Sequence, residues 1–239
     1  MVEEDKMPPT LYAGVKIQLK KAELLSAAPQ ATQLPGFIED LNQAFGSSLV
    51  NPFRLKSAEI TGFLQIQDAW RFTELIQYVD LELYAACPRY ALGIGTLTKN
   101  LNYETAEVDG PLLRIVNRAL KAASVGERDV AVRLPSPFLT KMVNTLFYIE
   151  SNLRNNWSEA HRDAIKLVKR GLTQVEIAAS LGVTQAAISQ RLKHARWELY
   201  QEITETLQEL LTQVRWKTLL PWDINKKRRR NRQQGQESN

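Results

Sequence analysis

Apolar and polar positions alternate at strand-like or helical spacing up to about residue 134 and follow helical spacing after it. Leu11–Leu19 alternates as a strand, and Leu34–Phe45 spaces Phe37, Ile38, Leu41 and Phe45 as a helix. Asn51-Pro52 reads as a turn, and Phe53–Gln67, alternating about Gly62, reads as a hairpin pair. Asp68 is placed to cap a helix carrying Phe72, Leu75, Ile76, Val79 and Leu83, which Pro88 ends. Tyr90–Leu97 is a short Gly-bearing strand. Asp109-Gly110-Pro111 is a turn that opens the helix Leu112–Ala123, and Val130–Leu134 is a last strand. Strands and helices interleave, but the hairpin is local. The pattern therefore predicts an α+β unit with an antiparallel or mixed sheet and helices on one face.

Pro135 and Pro137 close this unit, a connecting helix Phe138–Leu153 follows, and the pattern then turns wholly helical. The expected division is an α+β domain over 1–136, a connecting helix over 137–156, a tri-helical domain over 157–196, a long amphipathic helix over 197–220 and a basic, disordered tail over 221–239. Residues 158–195 carry the most specific motif. Ser158 can cap a first helix with Ala164, Ile165 and Val168 on its apolar side, and Gly171 stands where a helix end wants positive φ. Thr173 and Glu176 form a capping box for a second helix ending at Leu181. Gly182 supplies a tight turn and Thr184 caps a third helix reaching about Ala195. Ile177, Leu181, Val183, Ile188 and Leu192 then point inward, with the small Ala178 at the helix crossing. This is the helix-turn-helix pattern.

That geometry turns Thr184, Gln185, Ala186, Ser189, Gln190 and Lys193 outward. Glutamine can pair bidentately with adenine, serine can donate or accept, and an alanine methyl can meet a thymine methyl. Arg191, Lys193 and Arg196 suit phosphates, as do the amides near Thr173 and Gln174. The same fold can instead dock a protein, and the charge distribution favours DNA. Residues 1–150 hold 15 Lys/Arg against 17 Asp/Glu, residues 151–200 hold 8 against 4, and residues 201–239 hold 8 against 5. All the positive excess lies in the half that carries the motif, as expected for a polyanion partner. Leu199, Ile203, Leu207, Leu210, Leu211 and Val214 stripe the following helix, either to pack on the first domain or to form a homodimer seam. Trp216 and Trp222 without a further apolar anchor do not make a membrane anchor, so the basic tail is assigned to phosphate contact.

Other chemistry finds little support. No apolar run of 18 residues occurs, and the acidic N-terminus does not resemble a signal peptide. The lone Cys87 cannot form an internal disulfide, so a cytoplasmic setting is expected and the thiol reads as buried and inert. Gly93-Ile94-Gly95 lacks the closing glycine of a dinucleotide loop and lies inside a strand. His161 and His194 sit on exposed helix faces without metal-ligand spacing, so no cofactor and no metal are expected.

Over about residues 11–195 the chain resembles the SatD family of bacterial proteins. The pieces that carry the likeness are LYAGVKIQL, SAEITGFLQI, ALGIGTL, DGPLLRIVNRAL and LTQVEIAASLGVTQAAISQRL. The resemblance implies a ferredoxin-like, nucleotide-cyclase-like domain ahead of a C-terminal helix-turn-helix. It also implies acidic residues after a glycine in the first strand and a Gly-Asp-Glu-Phe-Gln hairpin. This chain has Gly14-Val15-Lys16-Ile17-Gln18 and Ser57-Ala58-Glu59-Ile60-Thr61 instead. Cyclase chemistry needs two carboxylates to hold Mg²⁺ against a triphosphate, and Val15 and Ala58 cannot ligate a metal. Only Glu59 remains, beside Lys16 and Lys56, where it reads as a salt-bridged surface group. The expectation is a non-enzymatic DNA-binding regulator whose first domain serves assembly or senses a partner such as a nucleotide. The alternatives are a nucleotide-binding or phosphoryl-transfer enzyme and a protein-binding adaptor.

Overall fold

The computed structural model describes residues 10–21, 34–97 and 110–213, and it is a mixed α+β structure. Five strands form one sheet in the order β2-β3-β1-β4-β5: β1 Leu11–Leu19, β2 Leu49–Lys56, β3 Glu59–Gln65, β4 Pro88–Thr96 and β5 Val130–Arg133. β1 runs antiparallel to both β3 and β4, β2 antiparallel to β3, and β5 parallel to β4. Helix α1, Leu34–Phe45, links β1 to β2, and α2, Phe72–Leu83, links β3 to β4. Then come α3, Pro111–Val125, and α4, Pro137–Asn155, followed by α5 Glu159–Lys169, α6 Gln174–Leu181, α7 Gln185–His194 and α8 Trp197–Gln213.

The alternation along β1 divides the molecule. Its odd residues, Leu11 to Leu19, enter the main core with α1, α2, α4 and α8. Its even residues face α3, so helices cover both faces of the sheet rather than one. The expectation of one-sided helices missed a glycine track. A Cβ on Gly14 would lie 2.7 Å from Val116, on Gly93 2.8 Å from Ile115, and on Gly95 2.9 Å from Ile115. Gly14 opposes Gly93 across the ladder, and the bare backbone there lets α3 sit close against β1 and β4.

Three local readings also need correction. Asn51-Pro52 is no turn: it lies inside β2, where the register with β3 shifts as at a bulge. Proline is tolerated there because β2 is an edge strand. Asp68 does not cap α2. It lies in a 3-10 turn, Ile66–Arg71, and α2 begins after Arg71 without a side-chain cap. Helix α4 is no linker: Val143 and Phe147 are buried in the main core, and Phe147 meets Phe72 edge-on at 5.7 Å.

Both sheet edges are closed by asparagine side chains. Asn42 of α1 accepts from Phe53 N at 2.7 Å and donates to Phe53 O at 3.0 Å. Asn144 of α4 does the same to Val132, at 2.8 Å both ways. Each amide imitates one residue of a neighbouring strand, which satisfies an edge that would otherwise pair with another chain. Among the described residues no helix is long and apolar enough to cross a membrane.

Candidate functional site

The three helices α5 to α7 form a small unit of their own, and the local sequence explains each boundary. The Ser158 hydroxyl accepts from His161 N at 3.3 Å, and His161 Nδ1 accepts in return from Ser158 N at 3.2 Å, so α5 opens with a reciprocal cap. Gly171, at φ +86°, reverses the chain. The Thr173 hydroxyl accepts from Glu176 N at 3.4 Å while Glu176 accepts from Thr173 N at 2.8 Å. The hydrogen bond from the Thr173 amide, then that from its hydroxyl, holds the Glu176 carboxyl below the usual glutamate range. Gly182, at φ +65°, ends α6. Thr184 caps α7 by accepting from Ala187 N at 3.2 Å. Ala164, Ile177, Ala178 and Ile188 form the buried centre, and Leu181, Val183 and Leu192 close around it.

Consequently the other side of α7 has no protein against it. Thr184, Gln185, Ala186, Ser189, Gln190 and Lys193 are exposed, as are Thr173 and Gln174 at the start of α6 and Arg196 beyond α7; Arg191 is half-buried. The helix contains no acid, and its last turn carries Arg191, Lys193 and His194. Among the described residues, none of Arg191, Lys193 and Arg196 is in an ion pair. Positive charge is concentrated there: burial lowers the His161 pKa, and His194 and Arg191 lower it further. These histidines, distant in sequence, thus meet where α5 begins and α7 ends, and His161 is half-buried rather than exposed. Among the described residues no group of three His, Cys, Asp or Glu side chains is arranged to hold a metal.

The side of the unit away from α7's open face is fixed to the body by charges that sequence reasoning missed. Arg154 of α4, 2% exposed, donates from Nη1 to Asp80 of α2 at 2.6 Å and from Nε to Glu150 at 2.9 Å. Arg162 of α5 pairs with the same Asp80 and donates to the Arg154 carbonyl at 3.0 Å. Two cations and two carboxylates thus neutralise one another in the interior. Burial alone would lower the Arg154 pKa; Glu150 and then Asp80 more than offset it, and the net shift is upward. Lys166 adds a pair to Glu82 at 2.6 Å, and Lys169 hydrogen-bonds Gln77. Burial lowers the Lys169 pKa to about 8, with Glu74 opposing it. Trp157, Ile165, Ala195, Trp197 and Tyr200 form an apolar joint, in which Trp157 Nε1 donates to Ala195 O at 2.9 Å. The i, i+4 pair Glu150/Arg154 and the tryptophans flanking the motif were the available signals, but their partners on α2 lie more than 70 residues away.

Helix α8 resolves the two readings of its stripe. Ile203, Leu207 and Leu211 are buried in the chain's own core, Leu210 is packed against it, and Gln208 reaches Thr73 at 3.0 Å. A homodimer seam through Leu199, Ile203, Leu207 and Leu210 is therefore excluded, because the body already covers most of those side chains; only Leu199 is exposed. Val214 and the basic tail lie outside the described residues. Arg196, at φ +51°, separates α7 from α8, so the long helix starts at Trp197.

On the sheet, Val15 is fully buried in the main core and Ala58 sits in the β2–β3 turn. Glu59 pairs with Lys16 at 2.7 Å, and Lys16 also donates to Asn117 at 3.0 Å. Cys87 is partly exposed rather than buried, because it takes φ +47° at the end of a 3-10 turn. The SatD family model matches residues 19–211. No match is found among curated proteins. None is found among solved structures either.

Proposed function

We propose that this chain, which belongs to the SatD family, is a sequence-specific DNA-binding protein and transcriptional regulator that sets α7 into the major groove. In this reading α5 to α7 are a helix-turn-helix. The sheet, with its β-α-β-β-α-β path and inner order β2-β3-β1-β4, is a ferredoxin-like, cyclase-like scaffold for assembly or for sensing a partner. One observation carries the proposal. The side of α7 bearing Gln185, Ser189, Gln190 and Lys193 is open and free of acids, although its other side is sealed into a core. Nothing about the stability of the unit calls for two glutamines, a serine and a lysine there; a row of base edges does. Arg191, Lys193 and Arg196 supply cations at the end of α7, and the amides ahead of α6 supply donors for phosphate.

The body contributes rigidity to this reading. A reading head must hold its side chains in register with the groove, and the charge quartet of Arg154, Asp80, Glu150 and Arg162 fastens α5 to α2 and α4. The test is a gel shift with genomic fragments, comparing the wild type with Gln185→Ala/Gln190→Ala/Lys193→Glu. All three positions are exposed, so the variant should fold and lose binding. Retention of the wild-type shift would remove the proposal.

A further inference from the structure

Helix α4 turns a charge-poor, apolar face away from the chain. Phe138 is 70% exposed, Tyr148 54%, Ile149 41% and Met142 38%. Phe138, Met142, Thr145, Ile149 and Asn152 succeed one another at spacings of 4, 3, 4 and 3 residues, the repeat that keeps a stripe on the seam of two paired helices. The opposite side of α4, Val143, Phe147, Glu150 and Arg154, is buried, so the helix cannot rotate to hide the stripe. Its two polar members are already satisfied within the helix. Thr145 Oγ1 donates to Lys141 O at 3.0 Å, and Asn152 Nδ2 donates to Tyr148 O at 2.7 Å. The face carries one formal charge, Lys141, and no acid. Exposed helix faces are ordinarily rich in charge; aromatic and methionine side chains with almost none mark the centre of an interface.

We infer that this face is the two-fold seam of a homodimer, with α4 antiparallel to α4 of a second copy and Thr145 at the axis. The surface suits a copy of itself. Pairing about Thr145 sets Met142 beside Tyr148 of the second copy and Phe138 beside Asn152 of the second copy. The two Lys141 side chains then stand about 12 Å apart along the axis, at 1.5 Å per residue. Other routes to self-association are closed: both sheet edges are capped by asparagines, and the α8 stripe is spent on the core. The arrangement also fits the DNA reading, on which this last point alone rests. Asn155, the end of α4, lies ten residues from Thr145, so the two helix ends are about 30 Å apart and each leads straight into a three-helix unit. Successive major-groove faces recur at about 34–36 Å. A strip about 28 Å long and 10 Å wide offers only about 300 Å² a side, so the pairing is reversible and concentration-dependent.

The test is sedimentation equilibrium of the full chain from micromolar to submillimolar concentration. The wild type should pass from monomer to dimer. Thr145→Glu, which opposes two carboxylates at the axis on an exposed position, should move that midpoint at least about tenfold upward. In a Cys87→Ser background, Thr145→Cys should be joined into a dimer by a short bis-maleimide, since only this symmetric pairing brings residue 145 to itself. A wild type that stays monomeric overturns the inference, as does a dimer indifferent to Thr145→Glu. A monomer whose residue-145 thiol resists maleimide would show the face covered by the chain's own remaining segments, and overturns it too. Any of these results leaves the gel shift with the α7 variant untouched, so the two readings fail separately.

Discussion

Arg154→Met should expose how the reading unit is held. The guanidinium lies 2.6 Å from Asp80 and 2.9 Å from Glu150 in a site with almost no solvent. After its removal Asp80 keeps Arg162, but Glu150, 2% exposed, keeps only the Ser151 hydroxyl at 3.3 Å. A buried carboxylate stripped of its cation costs about 3–5 kcal/mol. Methionine fills most of the vacated volume, so a cavity adds little. Loss of the cation 5.7 Å from the Tyr90 ring centroid adds about 0.5–1 kcal/mol. Arg154→Met/Glu150→Met removes the stranded charge with its partner and should recover the larger part of that loss, about 2–4 kcal/mol. Urea unfolding at neutral pH, followed by circular dichroism, gives both numbers, with unchanged m values confirming a comparable transition. A single variant within about 1 kcal/mol of the wild type would refute the reasoning. So would a double variant as unstable as the single one, because the stranded carboxylate would then not be the cause.

Three further outcomes follow from the same geometry. Lys193→Gln should flatten the slope of log K against log salt by about 0.9 on any duplex. Gln190→Ala should leave that slope alone and cost about 1–3 kcal/mol only on a selected sequence; anisotropy titrations at several salt concentrations separate the two, and identical effects would contradict the assigned roles. Gly93→Ala should destabilise by about 1–3 kcal/mol, because its Cβ would lie 2.8 Å from Ile115 and 3.1 Å from the Val116 backbone nitrogen; thermal melts would show this, and an unchanged melt would mean that α3 sits less tightly on the sheet. His161 Nδ1 must stay unprotonated to accept from Ser158 N. Burial, then His194 and Arg191, lower its pKa, so the unfolded chain binds the proton more readily. The cap's contribution is therefore complete above about pH 6.5 and is lost as pH falls through the folded value. The urea midpoint should fall more in the wild type than in His161→Gln on going from about pH 7.5 to 5, and superimposable profiles would count against it.

Local signals in the sequence specified local structure well. Alternation marks Leu11–Leu19 and helical spacing marks Leu34–Phe45 with the observed ends, and the capping residues Ser158, Thr173 and Thr184 start α5, α6 and α7 where expected. Misreadings arose where one residue type serves two physical ends. Asn-Pro favours turns, yet Pro52 fits an edge-strand bulge because it needs no partner there. Periodicity shows that the α8 stripe must be covered and is silent about by what. The glycine track was visible only as isolated glycines, since Gly14 and Gly93 become neighbours through strand pairing. The polar residues of α4 blurred its pattern, because Glu150 and Arg154 point inward toward partners that the linear order cannot supply.

The joint between the three-helix unit and the body has an optical consequence. Trp157 and Trp197 lie with ring centroids 6.1 Å apart, and Tyr200 stacks on Trp197 at 5.4 Å. Their indoles are nearly shut off from water, so their emission belongs at the blue end of the tryptophan range while the unit is seated. Any duplex, nucleotide or partner that loosens the seat would wet them and shift the emission to the red. The molecule thus carries an intrinsic gauge of its own docking, readable in solution without a label.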